Sequence, residues 1–179
     1  MQIGTLEIQR LNFYRACELH GGLMLGQLVR RVRDPELIVM LTRHSADEYA
    51  HARLWTDTII ELGGEPHPVR ATYQSRLGRI VGAPASVFHV LALSQVFERR
   101  VFRHFTQHAR LPGTHPAVRA VLERMIEEEK VHLSWMSDWL QLESARRRVN
   151  VSDLLSRFAL ADARVYGELI YEYRFQAIA

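Results

Sequence analysis

Apolar residues recur at three- and four-residue spacing through five segments of this chain, and no stretch alternates as a strand would. The first segment runs from about Thr5 to Arg33. The second opens on Asp34-Pro35-Glu36, with Asp as N-cap and Pro at the first helical position, and stops at Gly63-Gly64. Glu65 to Ala83 follows, where Pro66, Pro68, Gly78 and Gly82 interrupt apolar residues. That stretch is too apolar for a free linker and is expected to pack along the helices. The third helix is predicted from about Pro84 to Arg110, a turn over Leu111 to His115, and the fourth helix from Pro116 to about Leu142. After a linker over 143–150, a fifth helix opens at Ser152 or Asp153 and ends near Phe175.

Connection lengths turn these elements into a topology. The first and second helices are joined tightly, as are the third and fourth, so each pair is expected to be antiparallel. About 20 residues separate the second helix from the third, enough extended chain to span a helix of roughly 40 Å. The expected architecture is all-α: a four-helix bundle with one long crossover over residues 1–145, of ferritin-like connection. Residues 146–179 supply a linker and a C-terminal helix, packed on the bundle or on a partner subunit. A chain of 179 residues suits one such domain.

Composition narrows the function classes. The hydrophobic fraction of 47% and charged fraction of 24% are those of an ordinary globular protein. The net charge is only +3, carried by 22 Arg and the single Lys130. The one basic run, Arg146-Arg147-Arg148, reads as a solvated linker, so nucleic acid is not an expected partner. Cys17 is the only cysteine, which excludes an internal disulfide, a cysteine-held metal and a fused rubredoxin-type carrier. A reducing, cytoplasmic location is expected. The N-terminal MQIGTLEIQR lacks an apolar leader, and no run reaches the roughly 18–20 apolar residues of a membrane span.

The chemistry lies in a repeat. Glu18 is followed 30 residues later by Glu48-Tyr49-Ala50-His51, and Glu98 is followed 31 residues later by Glu129-Lys130-Val131-His132. Each half supplies one lone Glu and one Glu-x-x-His, whose i and i+3 positions share a helix face. Folded about the turn at Arg33-Asp34, Glu18 and Glu48 stand at one height; folded about Gly113, so do Glu98 and Glu129. Four buried carboxylates cost several kcal/mol each without compensation. Two divalent cations neutralise them. The predicted metal ligands are therefore Glu18, Glu48, His51, Glu98, Glu129 and His132, in the pattern of a carboxylate-bridged dimetal site.

Neighbouring residues carry weaker signals. Gly21 and Gly22 lie one turn beyond Glu18, where glycine costs about 1 kcal/mol against Ala. They either leave a void beside the metals or permit a close helix crossing. His44, one turn before Glu48, could approach the cluster but reads first as a core histidine, and His104 with His108, at i and i+4, could hold a stray metal but reads first as a surface pair. Tyr14, Phe97, Phe102, Trp55, Met125 and Met136 read first as core packing, with Tyr14, one turn from Glu18, also a candidate redox-active or hydrogen-bonding tyrosine. Cys17 is expected to be buried and inert.

Over residues 1 to about 142 the pattern resembles the ferritin-like dimetal-carboxylate superfamily, in its rubrerythrin and bacterioferritin form. Asp47-Glu48-Tyr49-Ala50-His51-Ala52, followed by Glu61-Leu62-Gly63-Gly64-Glu65-Pro66, is similar to the end of the second helix in rubrerythrin-like domains. The run from Glu98 through His104 to Gln107 resembles, over a shorter span, the third helix of demethoxyubiquinone hydroxylases. The resemblance implies terminal roles for Glu18 and Glu98, bridging roles for Glu48 and Glu129, and one metal each for His51 and His132. It implies that Asp47 and Glu128 orient the liganding histidines across the bundle. Tyr49 stands where haem-binding relatives have Met, so no haem is expected. Ligands of this kind suit two iron ions, with manganese as the other candidate. The expected activity is that of a diiron oxidoreductase reacting with dioxygen or peroxide and a small-molecule substrate. It would be a homodimer drawing electrons from a separate donor. Two alternatives stay open: a ferroxidase or iron-storage protein, and a bundle that uses metal only for stability.

Overall fold

The computed structural model describes residues 3–175. Among these, six helices and no strand are found: α1 Thr5–Val29, α2 Pro35–Glu61, α3 Tyr73–Val81, α4 Val87–Arg110, α5 Pro116–Arg147 and α6 Val151–Glu172. The all-α expectation holds, with one more helix than the five predicted. Among the described residues no helix is long and apolar enough to cross a membrane. The chain divides into two compact units, Met1–Ser75 with Gly113–Val121, and Arg76–Pro112 with Leu122–Ala179.

In the first unit α1 and α2 form an antiparallel pair. The Asp34 carboxylate accepts from Glu36 N at 3.0 Å and Leu37 N at 3.5 Å, and Pro35 follows at the first helical position. At the other end Gly63 takes φ +76°, with Gly63 N donating to Ile60 O and Gly64 N to Ile59 O. This paired closure caps the last carbonyls and needs a left-handed residue, here glycine. A steady register follows along the pair. Gly22 O accepts from Ser45 Oγ at 2.7 Å, and Tyr14 packs on Trp55 with ring centroids 5.5 Å apart. A Cβ at Gly64 would meet Ile8 at 2.7 Å, so that glycine lets the end of α2 close on α1.

The crossover beyond Gly64 lies along α1. Asn12, fully buried, donates to Glu65 O at 3.1 Å and accepts from His67 N at 2.8 Å. Arg15 donates to His67 O, Gln74 Nε2 to Cys17 O, and His20 Nδ1 meets Thr72 Oγ1 at 2.6 Å. Burial pushes the His20 imidazole below its ordinary pKa. Cys17 is buried, with Tyr73 N pointing at its Sγ. The crossover thus packs along a helix, as expected, but it contains the unpredicted helix α3.

In the second unit α4 and α5 are antiparallel. Phe88 faces Trp139, and Gln95 Nε2 donates to Leu133 O at 3.3 Å. α4 starts at Val87 with Ser86 as its cap, three residues later than predicted. α5 runs past Leu142 to Arg147. Arg146 and Arg147 are therefore not a linker: they form its last turn and pair with Glu143 at 3.0 and 2.9 Å. Arg148 then takes φ +54°, with Arg148 N bonding Ala145 O and Val149 N bonding Ser144 O. α6 starts at Val151, capped by Asn150. It packs beside α4, where Arg100 donates twice to the buried Asp162, at 3.0 and 2.6 Å.

Candidate metal centre

In the first unit, Glu18 from α1 and Glu48 and His51 from α2 are all buried. Each offers a ligand atom, and these atoms lie within 4.8 Å of one another. His51 Nδ1 is 3.5 Å from Glu18 Oε2. The antiparallel register explains the match, since the step that sets Tyr14 on Trp55 four residues away sets Glu18 on His51. Gly21 is part of the construction: a Cβ there would overlap Oε2 of Glu48, with the carboxyl carbon next at 3.1 Å. The space beside Glu18 is therefore no void for dioxygen. It houses the Glu48 carboxylate. Gly22 and Gly26 serve the close crossing instead, because a Cβ at either would meet Tyr49 or Ser45 at 3.1–3.2 Å.

In the second unit, Glu98 on α4 and Glu129 and His132 on α5 are likewise buried, at 4%, 0% and 2% exposure. His132 Nδ1 is 3.4 Å from Glu129 Oε2. The register that sets Phe88 against Trp139 and Gln95 against Leu133 puts Glu98 level with Glu129.

The two sets share composition, burial and spacing. Two donors each about 2.1 Å from one ion, subtending about 90–115° at it, stand about 3.0–3.5 Å apart. The His–Glu separations of 3.5 and 3.4 Å fall in that range. A neutral N–H···O hydrogen bond would be nearer 2.9–3.0 Å. Carboxylate oxygen with imidazole nitrogen is also a donor set that first-row divalent metals accept. The residues fit a metal by both distance and chemistry.

The residues around them divide. Tyr14, Trp55, Phe97, Met125 and Met136 are buried, whereas Phe102 is only half-buried. Asp47 and Glu128 are half-buried, and Glu128 accepts from Arg124 at 3.0 Å. The surface reading of His104 and His108 is corrected: they are 5% and 1% exposed. α6 places Tyr166 Oη 3.0 Å from the Nδ1 of His104, and Phe175, just beyond α6, sets its ring centre 4.4 Å from that of the imidazole. Burial raises the Tyr166 phenol above its ordinary pKa, and Arg100 sits 4.4 Å over its ring. The sequence reading missed this network because Arg100 and Asp162 are 62 residues apart. Compared with known protein families, curated proteins and solved structures, the chain matches none.

Proposed function

We propose that this chain is a ferritin-like dimetal protein in which the two Glu, Glu-x-x-His sets serve one pair of iron ions. Its activity would be that of a non-haem diiron oxidoreductase acting with dioxygen or peroxide. One observation carries the reading: each unit buries a Glu–His pair at the separation of two ligands on one ion. Charge supports it. Four carboxylates removed from water call for about four positive charges, which two divalent ions supply. Glu18, Glu48 and His51 of the first unit and Glu98, Glu129 and His132 of the second are the residues that would hold the ions. Iron held there would supply the redox equivalents for reducing dioxygen or peroxide. The protein's own part is to fix the ligands and keep water out. Tyr14 and Trp55 do the latter in the first unit, packed against each other one turn from Glu18 and one turn from His51.

The test is anaerobic Fe(II) loading followed by oxygen, watched by absorbance and Mössbauer spectroscopy. Two irons per chain that oxidise as a magnetically coupled pair are expected. One iron per chain, or iron that stays ferrous in oxygen, would overturn the proposal. A 24-subunit shell taking up many irons per chain would point to storage instead.

A further inference from the structure

His44 stands on α2 one turn before Glu48 and is 1% exposed. Its Nε2 lies 3.3 Å from Oε1 of Glu48. The other oxygen of that carboxylate, Oε2, occupies the space left by Gly21. The fold therefore aims Glu48 in two directions at once, Oε2 toward α1 and Oε1 back along α2 toward the imidazole.

Simple packing accounts poorly for this pair. An apolar side chain would fill the same space without burying two ring nitrogens. A hydrogen bond accounts for it only loosely, since 3.3 Å is long for N–H···O. The separation instead repeats those of His51 with Glu18, 3.5 Å, and His132 with Glu129, 3.4 Å. It is also the distance between two ligands about 2.1 Å from a common ion. Positions i, i+4 and i+7 share one helical stripe, so His44, Glu48 and His51 face the same way.

We infer that His44 is a seventh metal ligand, binding through Nε2 the ion that Glu48 Oε1 holds. The inference rests on the dimetal reading above. It makes the two halves unequal, because the residue four before Glu129 is Met125, which is buried and apolar. A neutral imidazole adds no charge, so the balance of four carboxylates against two divalent ions is unchanged. It fills a coordination position on one ion that would otherwise be left to water or an incoming ligand. The two ions are then inequivalent, and the less crowded one is the place for an external molecule to bind.

Co(II), paramagnetic and unreactive enough to watch, is the probe. The full chain is loaded anaerobically and its hyperfine-shifted imidazole N–H protons are counted by NMR. Three of the nine histidines should give such signals, from His44, His51 and His132; two signals would overturn the inference. In His44→Ala, one of the two Co(II) ions should bind at least about 100-fold more weakly, and added imidazole should restore it. Two ions bound at parental affinity in that variant would also overturn it. If His44→Ala does not fold by circular dichroism, the signal count on the parent chain still decides. A parent chain that takes up no Co(II) refutes the dimetal reading itself, which is a different result from two shifted signals.

Discussion

Replacing Gly21 by Ala separates what helps the fold from what helps the site. Glycine inside α1 costs about 1 kcal/mol relative to Ala, so the substitution should favour the helix by that amount. The three atoms nearest the new Cβ all belong to Glu48: the carboxylate Oε2 overlaps it, and the Glu48 carbons follow at 3.1 and 3.6 Å. The nearest atoms are the end of a flexible side chain, so α1 and α2 should keep their distance while Glu48 moves. Restoring van der Waals separation needs a shift of roughly 1 Å. Pushing the side chain off its preferred rotamer costs about 0.5–1.5 kcal/mol, which offsets the helix gain. The apo protein should therefore unfold in urea within about 0.5 kcal/mol of the parent. Metal binding has no such compensation, because a ligand set tolerates only about 0.5 Å of displacement. Titration with Co(II) should show an affinity lower by about 10–100-fold, the loss usual for disturbing a ligand's support. Gly167→Ala on α6 is the control. Its Cβ meets nothing within 4 Å, so it should gain up to about 1 kcal/mol and leave metal binding alone. If Gly21→Ala instead gained the full increment and bound Co(II) as tightly as the parent, Glu48 would not be a ligand.

Further predictions concern the rest of the chain. Glu98→Ala should lose iron and oxygen reactivity, whereas Glu123→Ala, at an exposed position, should lose neither; full iron loading of the Glu98 variant by elemental analysis would remove Glu98 from the ligand set. Asp162→Ala removes the acceptor of two charged hydrogen bonds from Arg100 and should cost on the order of 2–3 kcal/mol in urea unfolding; a change under about 0.5 would mean that α6 is held by its apolar face alone. Arg148→Gly relieves a left-handed backbone at φ +54° and should raise stability by about 0.5–1 kcal/mol; a loss would show that the side chain matters there. Burial pushes the Glu143 carboxyl up, but hydrogen bonds from Arg147 and Arg146, with their charges, outweigh this and leave it below its ordinary value. A carboxyl depressed by folding contributes stability above its unfolded pKa and loses it as pH falls through the folded one. Glu143→Gln should therefore be less stable than the parent at pH 7, the gap should close as pH falls through the folded pKa, and a gap that persists in acid would refute the pairing.

The helix ends were legible wherever a specific side chain makes the cap. Asp34-Pro35 and Gly63-Gly64 mark the ends of α2 because an Asp acceptor and a left-handed glycine have no good substitutes there. The end of α5 was misplaced for the converse reason. It is closed by Arg148 in the left-handed region and braced by Arg146 and Arg147 on Glu143, so no glycine announces it. α3 was missed because nine residues, interrupted by Gly78 and followed by Gly82, give too short a period to stand out. Its order comes from burying Tyr73 and Leu77, which are 4% and 1% exposed. That is a tertiary effect, and local pattern does not record it.

The same distinction governs the candidate site. A Glu and a His three positions apart declare a shared helix face on their own, and the burial of all six predicted ligands is what that pattern demands. The register of α1 against α2 was predicted to within about two residues from the turn alone: folding about Arg33-Asp34 sets Glu18 against residue 49, and the structure sets it against His51. His104 was misjudged because what covers it comes from Tyr166 on α6, whose approach to α4 also uses Asp162, far along the chain. His44 stands between these cases. Its place on the helix was evident, but whether a histidine one turn from a glutamate packs, bonds or ligates is decided by side-chain direction. Gly21 supplies that direction by drawing Oε2 of Glu48 toward α1 and leaving Oε1 to face the imidazole. A glycine on one helix thus determines what a histidine on the next can do, and single-residue reading along either helix does not reach it.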